Sequence, residues 1–387
     1  MPPRVLISAG EASGDLYASS LAEALRRQCG EVRFFGCAGP RMRAAGVDPI
    51  VKSESLAVVG LVEVLTHIPR IHREYRNLIE AAKRERPDIA ILTDSPDFHL
   101  RLAKHLKKAG IPVVYLVAPQ VWAWRKGRLR IMRQRIDRLL CIFPFEEPFF
   151  AANRVPATYI GHPLTRIVRP SASNAELRRR FGIPEGARLI AILPGSRAGE
   201  IQRHLPYVTA AAEKLRALMK GSDLRFILSL PPGLETATLN FRERFSSASI
   251  QVVNGRTWDV LACSDLALAA SGTVTIEACI LNTPMVTFYR VNRLTWLLGR
   301  SLVRVPFFSM VNLVAGRRVV TELIQGDMTA DRLAREAQTL LENDEALHRM
   351  REDLAEVAGR LTAQENPMDV AASIAGAFLQ EEMVHAS

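Results

Sequence analysis

Short strand-like segments alternate with amphipathic helical segments along the first half of the chain, and this alternation restricts its fold. Apolar segments with the length and composition of buried strands lie at residues 4–8, 32–36, 88–93, 113–117 and 138–142. Helical patterns between them cover residues 16–28, about 67–84 and 98–109. A repeated strand–helix–strand order predicts a parallel sheet that is covered by helices on both faces.

The same alternation begins again after a polar linker at residues 169–174. Strands are expected at residues 188–193, 225–230, 250–253, 266–269 and 285–288, and a mainly helical tail follows from residue 329. We therefore predict an α/β protein with two doubly wound domains, at residues 1–168 and 169–365. Residues 366–387 should form a C-terminal helix that packs back on the first domain or on a partner subunit. Ligands bind such sheets in the loops at the carboxyl ends of the strands.

Two of these loops in the second half have the composition of a phosphate site. Arg197 lies in a glycine-flanked turn after the first strand, and Ser271-Gly272-Thr273 opens a helix after the fourth. A helix N-terminus offers free amide donors, so a diphosphate there would be neutralised by the dipole and Arg197 without a metal. Glu277 lies one turn further, where it can accept hydrogen bonds from ribose hydroxyls. The alternative is an ordinary turn with a helix cap.

The first loop of the chain, Gly10-Glu11-Ala12-Ser13-Gly14-Asp15, fits neither of two common nucleotide motifs. It lacks the lysine of the phosphate loop and the G-x-G-x-x-G spacing of dinucleotide-binding folds. Its two carboxylates would repel a phosphate, but they suit the hydroxyl groups of a sugar.

Two further loops of the first half carry polar or aromatic side chains. Asp94 and Asp97 follow a strand with D-x-x-D spacing, which differs from the D-x-D spacing of metal-dependent sugar transfer, so we expect no metal. One of them could serve as a general base, and one could simply cap the next helix. Residues 118–126 place Gln120 and Trp122 beside basic residues, where an aromatic ring either covers a sugar or belongs to the core.

Seven segments spread along the chain carry a family resemblance: GEASGD (10–15), DSPDF (94–98), APQVWAW (118–124), GHPL (161–164), LPGSR (193–197), SGT…E (271–277) and NLVAGRRVVTELIQ (312–325). Together they resemble the lipid-A-disaccharide synthases, bacterial glycosyltransferases of GT-B architecture with two Rossmann-like domains facing a central cleft. The resemblance implies an inverting transfer from UDP-2,3-diacylglucosamine to 2,3-diacylglucosamine 1-phosphate, which releases UDP and needs no cofactor.

The resemblance also implies roles for individual residues. Asp97 is the candidate catalytic base, and Asp15 is the second choice. The expected donor-binding residues are Arg197, Ser271, Gly272, Thr273, Glu277 and Asn312. The first domain is expected to bind the acceptor through Gly10, Glu11, Ser13, Gly14, Gln120 and Trp122.

Acylated substrates require contact with a lipid surface, and two apolar segments are candidates for it. In the first segment the candidate residues have helical spacing, and in the second they are apolar residues near arginines. The residues expected to contact acyl chains or the membrane are Val58, Leu61, Val62, Leu65, Trp296, Leu297 and Phe307. A buried core segment is the alternative for residues 57–71. The basic run at residues 125–135 could approach an anionic leaflet or form a solvated helix face.

The overall charge agrees with anionic partners, because 51 Lys and Arg outnumber 40 Asp and Glu, for a net charge of +11. Five scattered cysteines without a C-x-x-C pair favour a reducing compartment, and no apolar run reaches the ~18 residues of a membrane span. We expect a cytoplasmic protein, peripheral on the inner membrane, and leave a homodimer open. Two alternatives are another GT-B enzyme acting on UDP-sugars, such as an epimerase or a peptidoglycan-type glycosyltransferase, and a nucleic-acid-binding protein, for which no recognised motif is present.

Overall fold

A computed structural model describes residues 2–55, 61–292, 295–297 and 305–385, without the side chains of residues 61–68 and 381–385. The chain divides into two compact units. Unit 1 consists of Met1–Pro163 together with Leu361–Ser387, and unit 2 consists of Leu164–Arg360. Each unit has its own parallel sheet, as the alternating sequence pattern predicts.

The sheet of unit 1 has seven parallel strands: β1 Arg4–Ala9, β2 Arg33–Ala38, β3 Asp48–Lys52, β4 Ile89–Thr93, β5 Val113–Leu116, β6 Arg138–Cys141 and β7 Ala157–Tyr159. Their order across the sheet is β3-β2-β1-β4-β5-β6-β7. The central strands β4 and β5 are buried along their whole length. Such strands are apolar without alternation because helices cover both faces of the sheet.

The helices of unit 1 are α1 Ala12–Cys29, α2 Pro40–Ala44, α3 Leu61–Glu85, α4 Pro96–Lys108, α5 Arg128–Arg135, α6 Glu146–Ala152 and the C-terminal helix, numbered α16, Pro367–His385. A single turn of 3₁₀ helix lies at Ser53–Ser55. Helix α16 packs against α1, where Arg27 pairs with Asp369 at 2.7 Å and the Gln28 amide donates to the Asp369 carbonyl. The C-terminal helix therefore belongs to unit 1, together with the N-terminal part of the chain.

The sheet of unit 2 has six parallel strands: β8 Arg188–Leu193, β9 Leu224–Leu230, β10 Ile250–Asn254, β11 Leu266–Ala270, β12 Met285–Tyr289 and β13 Thr321–Ile324. Their order is β10-β9-β8-β11-β12-β13, which repeats the arrangement of unit 1. The helices are α7 Leu164–Ile167, α8 Asn174–Arg180, α9 Ala198–Leu218, α10 Arg242–Ser247, α11 Thr257–Ala262, α12 Thr273–Ile280, α13 Met310–Ala315, α14 Ala330–Leu341 and α15 Asp344–Leu361. Turns of 3₁₀ helix lie at Glu235–Phe241 and Gln325–Asp327.

The ten strands predicted from apolar segments are confirmed within one to two residues at their ends, whereas β3, β7 and β13 were not predicted. These three strands lie at sheet edges, are three to five residues long and contain few buried side chains. A short edge strand has no continuous apolar run, so its pairing depends on a neighbouring strand that the local sequence does not reveal.

Gly36 in β2 marks a place where two backbones approach closely. The register between β2 and β3 shifts between Gly36 and Cys37, and a Cβ atom at position 36 would lie 2.0 Å from the carbonyl oxygen of Ile7. Because the obstacle is backbone, a side chain here would force β1 and β2 apart. Glycine at this position is required by packing.

We expect Gly36→Ala to lower the free energy of unfolding by about 1–3 kcal/mol, since overpacking strains the strand pair. Gly359→Ala is the control: a Cβ atom there meets nothing within 4 Å in the exposed face of α15, so it should stabilise by about 0.5–1 kcal/mol. Urea denaturation measures both changes. Equal stability of the two variants would contradict the close approach at Gly36.

Candidate functional site

The strand order reverses once in each sheet, and a crevice opens there at the carboxyl ends of the strands. In unit 1 the reversal lies between β1 and β4, and in unit 2 between β8 and β11. The loops that follow these four strands contain most of the polar residues singled out in the sequence. The two crevices are therefore the candidate sites, one in each unit.

Asp94 occupies the crevice of unit 1. Its carboxylate accepts hydrogen bonds from the backbone N–H of Gly10, at 2.9 and 3.1 Å, and of Glu11, at 3.0 Å. The side chain is 12% exposed, so one part of it still faces solvent. A carboxylate has about four lone-pair positions, and therefore it can accept a further hydrogen bond from a substrate hydroxyl.

The backbone of Asp94 is fixed by side chains from three elements. Its carbonyl oxygen accepts hydrogen bonds from the Tyr115 hydroxyl and from His99 Nδ1, the latter at 3.0 Å. His99 Nε2 accepts from the Ser8 hydroxyl at 2.8 Å, which defines the tautomer. Asp94 and Ser95 both have left-handed backbone angles, with φ of 52° and 35°. Strained backbone of this kind persists where surrounding contacts hold it, as in active sites.

The ionisation of this group also matches catalysis near neutral pH. Burial raises the pKa of Asp94 to about 7, against the opposing effect of the hydrogen bonds from Gly10 and Glu11. Burial lowers the pKa of His99 to about 4, so the imidazole is neutral and positions Asp94 without competing for its proton. A general base works best when its pKa lies near the working pH.

Asp97, the base expected from the resemblance, has a different environment. Its side chain is 71% exposed and forms ion pairs with Arg125, at 3.0 Å, and with Arg128. Burial raises its pKa, but Arg128 and Arg125 outweigh that effect and the net pKa is lowered. A carboxylate whose charge is stabilised in this way is a weak base. In the sequence both Asp94 and Asp97 follow the strand at residues 88–93, so nothing local separates them, and the contact of Asp94 with Gly10 arises only in the fold.

Asp15, the second choice for the base, is buried and hydrogen-bonded to backbone amides, and its role as a base stays a prediction. Its carboxylate is 3% exposed and accepts from the backbone N–H of Arg41 at 2.9 Å and Met42 at 3.0 Å. It therefore caps helix α2. Gly39 lies so near that a Cβ atom there would come within 2.3 Å of the Asp15 Cγ.

The glycines of the first loop, expected to bind the acceptor, pack against atoms of the Asp94 loop. A Cβ atom at Gly14 would lie 1.8 Å from Asp94 Oδ2, and one at Gly10 would lie 2.6 Å from Ser95 Oγ. Glu11 is exposed just before α1, and Ser13 is half-buried in its first turn. These small residues make room for the Asp94 loop.

Trp122, expected to bind the acceptor, is half-buried and contacts other parts of unit 1, and its role stays a prediction. Its indole N–H donates to Glu146 at 3.1 Å, and its ring packs against the core of unit 1. Burial raises the pKa of Glu146 to about 7, against the effect of the Trp122 hydrogen bond. Gln120 is exposed in the turn before it, and Trp124, which was not selected, is 38% exposed. Trp124 is therefore the tryptophan of this loop that a ligand can reach.

In unit 2, Arg197 ends the loop after β8, immediately before α9. Its side chain is 49% exposed and donates to Glu200 at 3.3 Å, and Glu200 also accepts from the Tyr289 hydroxyl at 2.9 Å. His204, which the sequence did not single out, holds the loop in place. Its Nδ1 donates to the Pro194 carbonyl at 2.6 Å, and its Nε2 accepts from the backbone N–H of Arg290 at 3.1 Å.

The N-terminus of α12 is the second component of this crevice. No side chain caps the helix at Gly272, and both Gly272 and Thr273 are exposed. A Cβ atom at Gly272 would meet nothing within 4 Å, so packing does not require glycine there. Ser271, in contrast, donates its hydroxyl to the Phe308 carbonyl at 2.9 Å and joins two loops. The exposed amides are suited to an anion.

Glu277 lies one turn into α12 and is half-buried. Burial raises its pKa to about 7, and a hydrogen bond from the Trp258 side chain acts in the opposite direction. The carboxyl group is therefore oriented by the protein and can accept hydrogen bonds from a ligand held at Thr273.

Asn312 is fully buried, so its expected contact with the donor stays a prediction, and its hydrogen bonds support a positioning role. Its Oδ1 accepts from the N–H of Val319 and Val320, and its Nδ2 donates to the Val320 carbonyl and to Glu322 at 2.8 Å. Glu322 in turn accepts from the backbone N–H groups of Phe308 and Ser309. Asn312 and Glu322 thus stabilise the loop at Phe308, whose carbonyl accepts the hydrogen bond from Ser271.

The expected acyl-contact residues are only partly described. Val58 lies outside the described residues, and so do the side chains of Leu61, Val62 and Leu65. Leu297 is 58% exposed, while Trp296 and Phe307 are half-buried. The Trp296 ring contacts that of Phe308, with centroids 6.1 Å apart.

Membrane-spanning helices and clusters of possible metal ligands can both be assessed in the described part of the chain. None of its helices combines the length and hydropathy needed to cross a bilayer. The same residues contain no group of three or more His, Cys, Asp or Glu side chains arranged to hold a metal ion.

Comparison with known proteins identifies the relatives of this chain. A family model described as lipid-A-disaccharide synthetase matches residues 5–374. The chain belongs to this family. The lipid-A-disaccharide synthase of Solibacter usitatus is 51% identical over 385 residues, which cover 100% of both chains. That of Myxococcus xanthus is 43% identical over 360 residues, covering 93% of this chain and 94% of the relative.

Solved structures show the fold that this lipid-A-disaccharide synthase family member adopts. The UDP-GlcNAc 2-epimerase of Neisseria meningitidis bound to UDP-GlcNAc has a TM-score of 0.62 at 12% identity, over 98% of this chain and 100% of the other. MurG of Acinetobacter baumannii has a TM-score of 0.57 at 14% identity, over 97% and 99%. At such identities the similarity concerns the fold alone.

These comparisons confirm the predicted family, the two-domain α/β fold of GT-B type and the class of enzyme, a hexosyltransferase of lipid A biosynthesis. They do not favour the alternatives of an epimerase, a peptidoglycan-type glycosyltransferase or a nucleic-acid-binding protein. The roles of individual residues stay predictions, and the burial and hydrogen bonds described above indicate which side chains are accessible to a ligand.

If Asn312 is a positioning residue, its loss should weaken the fold of the free protein. We expect Asn312→Ala to lower the free energy of unfolding by about 2–4 kcal/mol, because it leaves buried N–H groups without acceptors. Arg197→Ala removes an exposed ion pair and should cost less than about 1 kcal/mol. Urea denaturation without ligand measures both, and an unchanged stability of Asn312→Ala would return Asn312 to direct ligand contact.

Proposed function

We propose that this protein transfers a diacylglucosamine from UDP-2,3-diacylglucosamine to 2,3-diacylglucosamine 1-phosphate, with inversion at the anomeric carbon. The acceptor hydroxyl oxygen bonds to the anomeric carbon while the bond from that carbon to the UDP oxygen breaks. The proton of the hydroxyl passes to a protein carboxylate, and UDP leaves. The reaction is proposed because the chain belongs to this family. The geometry of the two crevices supports a base in unit 1 and a binding site for UDP in unit 2.

Asp94 serves as the general base in this proposal. Its carboxylate is oriented by the Gly10 and Glu11 amides and keeps capacity for one more hydrogen bond, which the acceptor hydroxyl would donate. A pKa of about 7, raised by burial, lets it take a proton at neutral pH. Asp97, with its charge stabilised by two arginines, serves instead to hold those arginines.

Unit 2 binds the UDP part of the donor. The amides at Gly272 and Thr273 face solvent at the positive end of α12, and they stabilise the diphosphate as its charge grows during departure. Arg197 adds a second positive group from the adjacent loop. Glu277 accepts hydrogen bonds from the ribose hydroxyls, which selects a nucleotide over a free diphosphate.

The acylated substrates bring the enzyme to a membrane surface, and we place it peripherally on the cytoplasmic face of the inner membrane. Leu297 and Phe308 are exposed apolar side chains of the described part of unit 2, and they support contact with acyl chains. The expected contribution of Val58, Leu61, Val62 and Leu65 stays a prediction, and so does a homodimer.

The reaction is tested by incubating the protein with both acylated substrates in detergent micelles. UDP and the disaccharide should appear in equal amounts, and only when both substrates are present, because the acceptor supplies the attacking oxygen. Chelation should leave the rate unchanged. Release of UDP from the donor alone, or interconversion of the donor without release, would point to a hydrolase or an epimerase instead.

Asp94→Asn should lower kcat by about 10²–10⁴-fold, since it removes the base while its amide oxygen can still accept from Gly10. Wild-type kcat/KM should fall as the pH decreases through about 7, the pKa to which burial raises Asp94, because protonation removes the base.

Asp97→Asn and Glu277→Gln are the controls for this assignment. Asp97→Asn should lose much less turnover than Asp94→Asn. Glu277→Gln should keep the acidic limb of the profile, although burial also raises the pKa of Glu277 to about 7. A near wild-type kcat in Asp94→Asn, or a larger loss in Asp97→Asn, would transfer the role to Asp97.

A further inference from the structure

Arg125, Arg128, Trp124 and Asp97 form a surface cluster in unit 1 that the catalytic proposal does not use. The Arg125 guanidinium lies 4.4 Å from the centre of the Trp124 ring, and that of Arg128 lies 5.6 Å from it. Both guanidinium groups donate to Asp97. Trp124 is 38% exposed and the Arg125 side chain 47%, whereas the Arg128 side chain is 11% exposed, so solvent reaches the cluster mainly at Trp124 and Arg125. Cation–π contact and the shared carboxylate hold two flexible side chains in one arrangement.

The cluster retains unused hydrogen-bonding capacity. Each guanidinium has five N–H donors, and the side-chain hydrogen bonds of these two arginines within the described residues all go to Asp97. Arg125 has a left-handed φ of 57°, which costs energy for a residue with a side chain. A solvated helix face would not require a strained backbone or a stacked ring.

The charge of the cluster is also unbalanced. Arg125 and Arg128 supply two positive charges and Asp97 one negative charge, and Lys126, which follows Arg125 in the sequence but lies outside the cluster, adds a third positive charge. The excess of two matches a phosphate monoester, which carries about −1.5 to −2 at pH 7. A membrane phosphodiester carries a single charge and would leave the cluster positive.

The cluster lies beside the reacting crevice of unit 1. Asp97 is in the first turn of α4, three residues after Asp94. Burial raises the pKa of Tyr115 well above its usual value, Asp94 adds to this, and Arg128 acts in the opposite direction. Arg128 is therefore within electrostatic reach of the hydroxyl that holds the Asp94 backbone.

We propose that Arg125 and Arg128, stacked on Trp124 and held by Asp97, bind the phosphate monoester of the acceptor sugar. This inference rests on the proposed function, because it names the part of the acceptor that unit 1 recognises. The free guanidinium donors bind the phosphate oxygens, as arginine does in charge-assisted pairs. The phosphate then fixes how the sugar lies relative to Asp94, and an acceptor without it would bind less well.

The test compares two acceptors in the same detergent micelles, one with the 1-phosphate and one from which the phosphate has been removed. Arg125→Gln/Arg128→Gln should raise KM for the phosphorylated acceptor by roughly 10–100-fold, the effect of losing hydrogen bonds to a charged group. KM for the dephosphorylated acceptor and for the donor should stay within about twofold of wild type. The preference for the phosphate should therefore disappear.

Arg133→Gln is the matched control, because Arg133 is an exposed arginine on the same helix α5 and has no ion pair within the described residues. It should keep the wild-type preference. If loss of the Asp97 pairs unfolds the double variant, Arg125→Gln alone keeps the Arg128–Asp97 pair and should show the same change in smaller measure. A double or single variant that folds and keeps the full preference would overturn the proposal.

A second experiment distinguishes binding of the acceptor phosphate from binding of lipid headgroups. Sedimentation with phosphatidylglycerol vesicles should be alike for the double variant and for Arg133→Gln. Loss of vesicle binding in the double variant, with the acceptor preference intact, would mean that the arginines serve the membrane. Wild-type protein that transfers to neither acceptor would disprove the proposed function, whereas equal efficiency with both acceptors would disprove this inference alone.

Discussion

The parallel pairing of strands is the constraint from which the rest of this structure follows. Parallel strands need crossover helices, and these place every strand-to-helix loop at the same edge of the sheet. Where the order reverses, between β1 and β4 and between β8 and β11, neighbouring loops diverge and leave a crevice. Residues that are far apart in the chain, such as Gly10 and Asp94, become hydrogen-bonded partners there.

The two crevices are built in opposite ways, and the difference agrees with the chemistry proposed for each. In unit 1 the loop amides are already occupied by the Asp94 carboxylate, and Gly14 is small because that carboxylate lies against it. In unit 2 the amides at Gly272 and Thr273 have no side-chain cap, and the space over Gly272 is open. The crevice of unit 1 thus contains a carboxylate that can act as a base, while the crevice of unit 2 is suited to the anionic group of a ligand.

Much of each crevice is supported by polar side chains that hydrogen-bond to the protein backbone or to one another. His99 and Tyr115 fix the Asp94 backbone, His204 fixes the loop that carries Arg197, and Asn312 with Glu322 fixes the loop behind α12. The side chains named here have specific hydrogen-bond partners, so a loop can be rigid without being part of a strand or helix. Family motifs such as DSPDF and NLVAGRRVVTELIQ contain both kinds of residue, which explains why a motif alone does not separate contact from support.

Apolar periodicity and motif spacing are local properties of the chain, so the central strands, the α/β class with two sheets and the family could be predicted from the sequence. The edge strands β3, β7 and β13 could not, because their pairing depends on neighbouring strands. The environments of Asp15, Asp94 and Asp97 also depend on the fold, because each carboxylate has different partners there. Asp15 caps α2, Asp97 is neutralised by two arginines, and Asp94 is buried against loop amides. Burial and distant partners set the pKa of a carboxylate, and neither can be read from its neighbours along the chain.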